Sequence, residues 1–265
     1  MKKLSLLLAL MALLFTDLAA AAGAVVSSLT GTVQAQTGSA APRVLRQGDQ
    51  VVQGDTVSTG PRSSVVLKFD DGQIAALTAD SRMQVTAYTY NPQAQSGNVL
   101  LSLVVGGMRA ITGLIGHNNT QNVGYRAATA TIGIRGSNID LFFQIPANNS
   151  APNFGAFANQ NGFVFNDPTL APGGIEIGEG NGVSSIGGTL HQGPMSSLNL
   201  TPEINGLLDG LSGLSGAIGN ALGQAATGTN LGTGTPNNTG TVGSSSGGGG
   251  SNGCSNGANN PPTCQ

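Results

Sequence analysis

The sequence has little charge and few large aromatic side chains. Only 8% of its 265 residues are charged, 4% are aromatic, and tryptophan is absent. An ordinary globular domain carries about 25% charged residues. Because long exposed helices and coiled coils need charged faces, this scarcity disfavours both of them. The 42 glycines instead favour short strands that are joined by tight turns.

Clustered basic residues are also missing. After Lys2 and Lys3, Lys68 is the only lysine, and no arginine follows Arg135. The arginines occur singly, with few aromatic residues between them, whereas a nucleic-acid-binding surface groups its basic residues on one face. We therefore expect no nucleic-acid partner.

Residues that commonly carry out catalysis are sparse. His117 and His191 are the only histidines, and neither has a cysteine or the other histidine near it in the sequence. No Gly-x-Ser-x-Gly motif lies at a predicted strand-to-helix turn, where a nucleophile would need it. We predict a protein that is not an enzyme and that has no catalytic, metal-binding or cofactor-binding site.

The first 22 residues have the pattern of a secretory signal peptide. Met1-Lys2-Lys3 precede an apolar run over residues 4–14, and small residues follow at 19–22. The apolar run is too short to cross about 30 Å of hydrocarbon. We expect Gram-negative-type export, cleavage near Ala22, and a periplasmic or secreted mature chain without a transmembrane span.

Residues 24–200 alternate short apolar runs with glycine turns, which predicts an all-β domain. The turn signals recur about every 8–12 residues, a spacing typical of β-sandwiches and related folds. An antiparallel sandwich, a roll and a short solenoid-like domain all fit this pattern. The predicted strands are 31–36, 64–69, 73–77, 82–88, 98–105, 128–134, 137–144, 174–177 and 184–190.

The clearest local signal is a hairpin around Asp70-Asp71-Gly72, which separates two of these apolar runs. Gly72 can adopt the positive φ that the turn needs, and Asp71 can cap backbone N–H groups.

A second turn signal is a short tandem repeat, in which Gly48-Asp49 recurs as Gly54-Asp55. Each glycine lets the chain turn, and each aspartate can accept backbone N–H bonds at the corner. The alternative, a calcium site, has no matching ligand spacing. We interpret both repeats as structural corners.

Residues 201–224 have the spacing of an amphipathic helix. Thr201 suits the N-cap, Pro202 the first helical position and Glu203 the positive end of the helix. An apolar stripe from Ile204 to Leu222 follows, but five glycines interrupt it. Such a helix is unstable alone, so we expect it to pack across a face or an open end of the β-domain and to cover an edge.

Residues 225–265 form a low-complexity tail that is rich in glycine, serine and asparagine and has no charged residue. We expect this tail to be disordered. It contains Cys254 and Cys264, which we expect to pair as a disulfide in an oxidising compartment.

An ordered set of motifs resembles the FecR family and covers about residues 30–145, with weaker similarity to 200. Ser137 stands where the family usually has threonine. The motifs are Leu45-x-x-Gly48-Asp49, Gly54-Asp55-Thr56-Val57-x-Thr59-Gly60, Phe69-x-Asp71-Gly72, Gly106-Gly107-Met108-Arg109 and Ala130-Thr131-Ile132-Gly133-Ile134-Arg135-Gly136-Ser137.

The resemblance implies a periplasmic β-domain. In the best-known members, this domain relays the state of an outer-membrane receptor to a cytoplasmic sigma factor. Those members have a cytoplasmic helical segment and a membrane span before the domain. We do not expect the anti-sigma role here, because neither feature precedes the domain in this sequence.

Arg135 and Gly136 end an apolar strand pattern. A buried or half-buried arginine needs carboxylate or carbonyl partners. We interpret Arg135 as a structural lock inside the β-fold, with contact to an anion or a glycan as the alternative.

Two functions of different classes remain open. The first is a periplasmic or cell-envelope interaction module, linked to envelope signalling in one version, whose partner is an unknown envelope protein or a glycan. The alternative is a secreted or surface-associated structural protein with a flexible attachment tail. The structural or interaction candidates are Gly48, Asp49, Gly54, Asp55, Asp71, Gly72, Arg135 and Gly136.

Overall fold

The structure, a computed structural model, describes residues 23–148 and 150–223. The predicted signal peptide, the predicted tail and the predicted Cys254–Cys264 disulfide lie outside these residues.

The described chain consists mainly of β-strands and has one bent helix that ends at residue 223, which confirms the predicted fold class. In chain order the strands are β1 (Gly23–Thr30), β2 (Val33–Thr37), β3 (Arg43–Val44), β4 (Gln50–Val52), β5 (Asp55–Thr59), β6 (Ser64–Phe69), β7 (Ile74–Leu77), β8 (Arg82–Asn91), β9 (Ser96–Ile111), β10 (Val123–Ala127), β11 (Ala130–Ile134), β12 (Asn138–Gln144), β13 (Asn153–Gln160), β14 (Phe163–Asp167), β15 (Ala171–Ile177), β16 (Gly182–Ile186) and β17 (Thr189–Gly193).

The strands form two sheets that face each other across one hydrophobic core. Sheet A has the spatial order β4–β1–β6–β7–β9–β12–β13–β16–β17. Sheet B has the order β3–β2–β5–β8–β9–β10–β11–β14–β15. Each of these pairs is antiparallel apart from β9–β10, which is parallel. The architecture is therefore the sandwich among the predicted alternatives.

The long strand β9 belongs to both sheets. Its first part pairs with β8 and β10 in sheet B, and residues 106–111 pair with β7 and β12 in sheet A. Gly106 lies at the crossing with φ +96°. A Cβ at this position would lie 2.1 Å from Ser81 Oγ. Only glycine fits both the backbone conformation and the close approach.

The core lies between the sheets, where alternate residues of both sheets point inward. Leu67 and Leu141 of sheet A and Val57 and Leu101 of sheet B are fully buried and belong to one apolar cluster. Full burial of a side chain of this kind contributes about 1.5–3 kcal/mol. The alternation leaves every second residue of each sheet on an outer face.

The remaining elements are short helices and the C-terminal bent helix. The short helix α1 (Leu114–Asn118) follows β9, and 3₁₀ turns cover Thr120–Asn122 and Met195–Ser197. The bent helix consists of α2 (Pro202–Gly213) and α3 (Ser215–Gly223). Within the described residues, no helix combines the length and the hydropathy needed to cross a bilayer.

The bent helix begins as predicted, because the Thr201 side chain accepts the N–H of Ile204 at 3.4 Å and Pro202 occupies the first turn. It packs on the outer face of sheet A. Ile204 and Leu211 contact the cluster around Phe142, and α3 lies on a second apolar cluster of β6 and β7. The helix thus packs across a face of the β-domain, as predicted, but it covers the middle of sheet A and not an edge.

Several strand predictions differ from the structure. The predicted strand 184–190 is a hairpin, β16–β17, because Gly187 and Gly188 adopt φ +58° and +82° and turn the chain. The sequence patterns do not predict β1, β3, β4, β5, β10, β13 and β14. In β13, Gly155 interrupts the apolar pattern. Glycine is needed there because a Cβ would lie 2.3 Å from the Val183 carbonyl oxygen. That glycine permits close strand packing.

Candidate functional site

The second Gly-Asp corner is held by a buried carboxylate. Asp55 is fully buried and accepts bonds from the Arg43 guanidinium at 2.6 Å and the Val52 N–H at 3.1 Å. The Thr37 hydroxyl donates a third bond to Asp55. Gly54 has φ +91°. The Asp55 carboxylate on β5 therefore ties together β2 and β3 of sheet B and β4 of sheet A, and it has little capacity left for a ligand.

The first Gly-Asp corner is more exposed but has a similar geometry. Gly48 has φ +89°, and the Asp49 side chain accepts the Arg46 N–H at 2.8 Å. Within residues 23–148 and 150–223, no group of three or more His, Cys, Asp or Glu residues could hold a metal ion. The structure thus places both aspartates at backbone corners and does not bring them into one site.

Asp71 lies in a buried polar cluster at one end of the sandwich. Its carboxylate accepts bonds from the Tyr88 hydroxyl and the Gln73 N–H, both at 3.2 Å. The Tyr125 hydroxyl donates to the Gln73 side-chain oxygen at 3.1 Å. Gly72 supplies the turn with φ +84°. The cluster holds the predicted β6–β7 hairpin against the rest of the domain.

Burial controls the protonation of this cluster. It raises the pKa of the Asp71 carboxyl, although the N–H groups of Gln73 and Ile115 oppose the shift. Burial also raises the pKa of Tyr88 and Tyr125 well above the ordinary value for tyrosine. A shallow groove of ≈ 520 Å³ runs beside the cluster. Because Asp71 is only 1% exposed, it supports the groove wall and does not present a charge to a ligand.

Arg135 does not lie inside the fold, which corrects its interpretation as a buried lock. Its side chain is 54% exposed and forms an ion pair with Glu176, which is 69% exposed. Ile134 points into the core, so the alternation of the strand turns Arg135 outward. Gly136 follows with φ +74°. Such an exposed pair contributes at most about 1 kcal/mol to stability.

The buried arginine is instead Arg109, whose partner the sequence analysis did not identify. Its Nε and one terminal nitrogen donate to both carboxylate oxygens of Asp140 at 2.6 and 2.7 Å. The two residues face each other on β9 and β12, on the outer face of sheet A. Arg109 is 8% and Asp140 3% exposed, because the bent helix covers them. This ion pair is therefore buried on the face of sheet A on which the bent helix packs.

The outer face of sheet B carries a continuous line of polar side chains, here called the polar row. Its seven members lie in register on seven neighbouring strands, and each has at least one buried neighbour in the same strand. At about 4.8 Å between strands, the row is roughly 29 Å long. The polar row consists of Gln36, Thr56, Gln84, Ser102, Arg126, Thr131 and Asn166.

A groove of ≈ 440 Å³ covers one end of the polar row. Its lining is largely made of uncharged hydrogen-bonding groups, and Arg82 is its only charged side chain. Arg82 donates to Ser58 at 3.3 Å, and Ser102 lies 2.8 Å from the Thr86 hydroxyl. The outer face of sheet B can therefore bind a ligand through hydrogen bonds, and the polar row itself carries no acidic group.

The polar row does not stand out in the sequence because its members are far apart in the chain. Thr56 and Thr131 fall within the FecR-like motifs, but only strand register aligns them with Gln84 and Asn166. The available signal was the alternation of small or amide polar residues with apolar residues in each strand, as in Val33–Thr37.

Comparisons with known proteins identify no family. No family model and no curated protein matches the chain. Two crystal structures of a candidate anti-sigma factor from Parabacteroides distasonis ATCC 8503, at 1.65 and 2.50 Å resolution, resemble it with a TM-score of 0.40 and 11% identity. Each match covers 52% of this chain and 59% of that chain. The resemblance to the FecR family stays a prediction.

Proposed function

We propose that the chain is a non-enzymatic interaction module of the cell envelope and that it binds its partner through the outer face of sheet B. One observation carries this proposal: the bent helix covers the outer face of sheet A, whereas no element within residues 23–148 and 150–223 packs on the polar row of sheet B. The predicted signal peptide and the FecR-like motifs support an envelope location.

The chemistry of the polar row suits binding better than catalysis. None of its seven side chains is a carboxylate, a histidine or a cysteine, so the row offers no general acid, general base or strong nucleophile. Amides and hydroxyls can both donate and accept hydrogen bonds. A rigid sheet holds these groups at fixed spacing, which reduces the entropy lost on binding.

Retention of envelope components by the immobilised full-length chain tests the proposal. We expect the wild-type chain to retain a specific component from a detergent extract of envelopes. The double variant Thr56→Lys/Thr131→Lys places two long charged side chains on the polar row and should lose this component. Its matched control, Asn205→Lys/Asn220→Lys, adds the same charge on the exposed side of the bent helix and should retain it.

The proposal fails if the wild type retains nothing, or if both double variants behave alike. Cell fractionation tests the location separately. Recovery of the chain in the cytoplasm would contradict the envelope assignment, and recovery in the culture medium would favour the secreted structural protein.

A further inference from the structure

We infer that the ligand of the outer face of sheet B is an extended, uncharged polysaccharide that lies along the polar row, across the strands. This inference rests on the proposed function and names the ligand class for the same face. Three properties of the row lead to it: its repeat, its hydrogen-bonding groups and its charge.

The repeat of the polar row matches that of a sugar chain. One polar side chain is available at each strand, at a spacing of about 4.8 Å. In an extended β-linked polysaccharide, one sugar advances the chain by nearly the same distance. Each sugar can therefore lie beside one polar side chain of the row. A peptide that adds to a sheet edge would instead run parallel to the strands.

The row also has unused hydrogen-bonding capacity. Within the described residues, the side chains of Gln36, Thr56, Gln84, Thr131 and Asn166 form no hydrogen bond to another protein group. Sugar hydroxyls both donate and accept, and so do amides and hydroxyls of the protein. A polysaccharide can thus satisfy side chains that otherwise bond only to water.

The charge and apolar content of the row argue against other ligand classes. The row has one cation, Arg126, whereas a nucleic acid needs several clustered cations. It has no aromatic or large aliphatic side chain, although protein interfaces depend on such anchors. An uncharged polysaccharide can bind through hydrogen bonds to the amides and hydroxyls that the row does offer. A protein partner and a second copy of this chain are alternative outcomes of the test.

Calorimetry with the full-length chain and β-1,4-linked oligosaccharides of two, four and six neutral or N-acetylated sugars tests the inference. We expect affinity to rise with each added pair of sugars, because each sugar reaches a further strand. The double variant Gln84→Ala/Thr131→Ala should weaken binding of the hexasaccharide about tenfold, since two modest hydrogen bonds are lost. The control Asn205→Ala/Asn220→Ala should bind as the wild type does. Far-UV circular dichroism establishes that each variant is folded.

Three results would overturn the inference. In the first, the chain binds none of the oligosaccharides but still retains an envelope protein through the polar row. This result leaves the proposed function intact. The second is equal affinity for two and six sugars. In the third, sedimentation analysis shows that the wild-type chain is a dimer and that Thr56→Lys/Thr131→Lys is not. The polar row would then contact a second copy of the chain. If neither extract nor oligosaccharide binds, the proposed function fails as well.

Discussion

The two outer faces of the sandwich show how similar strand patterns serve different purposes. On sheet A, outward positions such as Val66, Ile74 and Phe142 are apolar, and the bent helix buries them. On sheet B, the polar row consists of amides, hydroxyls and Arg126, and no described element packs on it. The side chains of the outward positions thus determine which face contributes to stability and which is available for binding.

This comparison makes testable predictions about stability. Substitution of outward residues on sheet A should lower the free energy of unfolding strongly. Substitution of outward residues on sheet B should change it little. Urea unfolding followed by circular dichroism measures each difference.

The largest effect is expected at the Arg109–Asp140 ion pair beneath the helix. Asp140→Ala leaves the buried Arg109 charge without a partner, which should cost about 3–5 kcal/mol. The double variant Arg109→Met/Asp140→Leu removes both charges and should lose much less. If the single variant is as stable as the double variant, the pair is not desolvated by the helix.

The next effect concerns the apolar contact between the helix and sheet A. Leu211 is fully buried against the cluster around Phe142, so Leu211→Ala should cost about 2–5 kcal/mol. Leu222→Ala makes the same change at a residue that is 42% exposed, and it should change stability by less than about 0.5 kcal/mol. If the two variants lose the same free energy of unfolding, burial of Leu211 against sheet A does not stabilise the protein.

A smaller, pH-dependent effect is expected at Asp71, which belongs to neither outer face. Burial raises its pKa in the folded state above the ordinary value of 3.8. The folded chain therefore holds this proton more tightly than the unfolded chain does. The stabilisation from Asp71 is complete below pH 3.8 and is lost as the pH rises through the raised pKa of the folded state.

Asp71→Asn cannot titrate in this range and separates that contribution from the rest of the protein. The free energy of unfolding of Asp71→Asn relative to wild type should increase as the pH rises from about 4 and then level off. Parallel pH profiles for the two proteins would contradict the raised pKa.

The smallest effect is expected on the polar row. Gln84→Ala removes an outward amide that bonds to no described protein group, so it should change stability by less than about 0.5 kcal/mol. Loss of binding without loss of stability would show that the outer face of sheet B serves binding and that the outer face of sheet A serves stability. A loss of several kcal/mol would show that sheet B depends on its outer face as sheet A does.

Local features of the fold could be predicted from the sequence, whereas long-range pairing could not. The turn at Asp71-Gly72 and the N-cap at Thr201 depend on a few neighbouring residues, and the structure has both. The partner of Arg109 lies 31 residues away, and only the register of β9 and β12 joins the two. One-residue register shifts reverse every side chain of a strand, so sequence patterns alone do not identify an aligned row.

Arg135 shows a second limit of sequence analysis. Its apolar setting suggested burial, but the alternation at Ile134 directs it to solvent. The apolar neighbours belonged to the opposite face of the same strand. The candidate binding face is instead built by several strands that are distant in the sequence.

The shared strand β9 has a consequence for how the molecule unfolds. Because one continuous backbone supplies a central strand to both layers, neither layer can open without disturbing hydrogen bonds of the other. The two layers therefore cannot melt as independent units, and we expect a single cooperative transition for residues 23–223. A ligand that stiffens sheet B would, through β9, raise the melting temperature of the helix-covered layer as well.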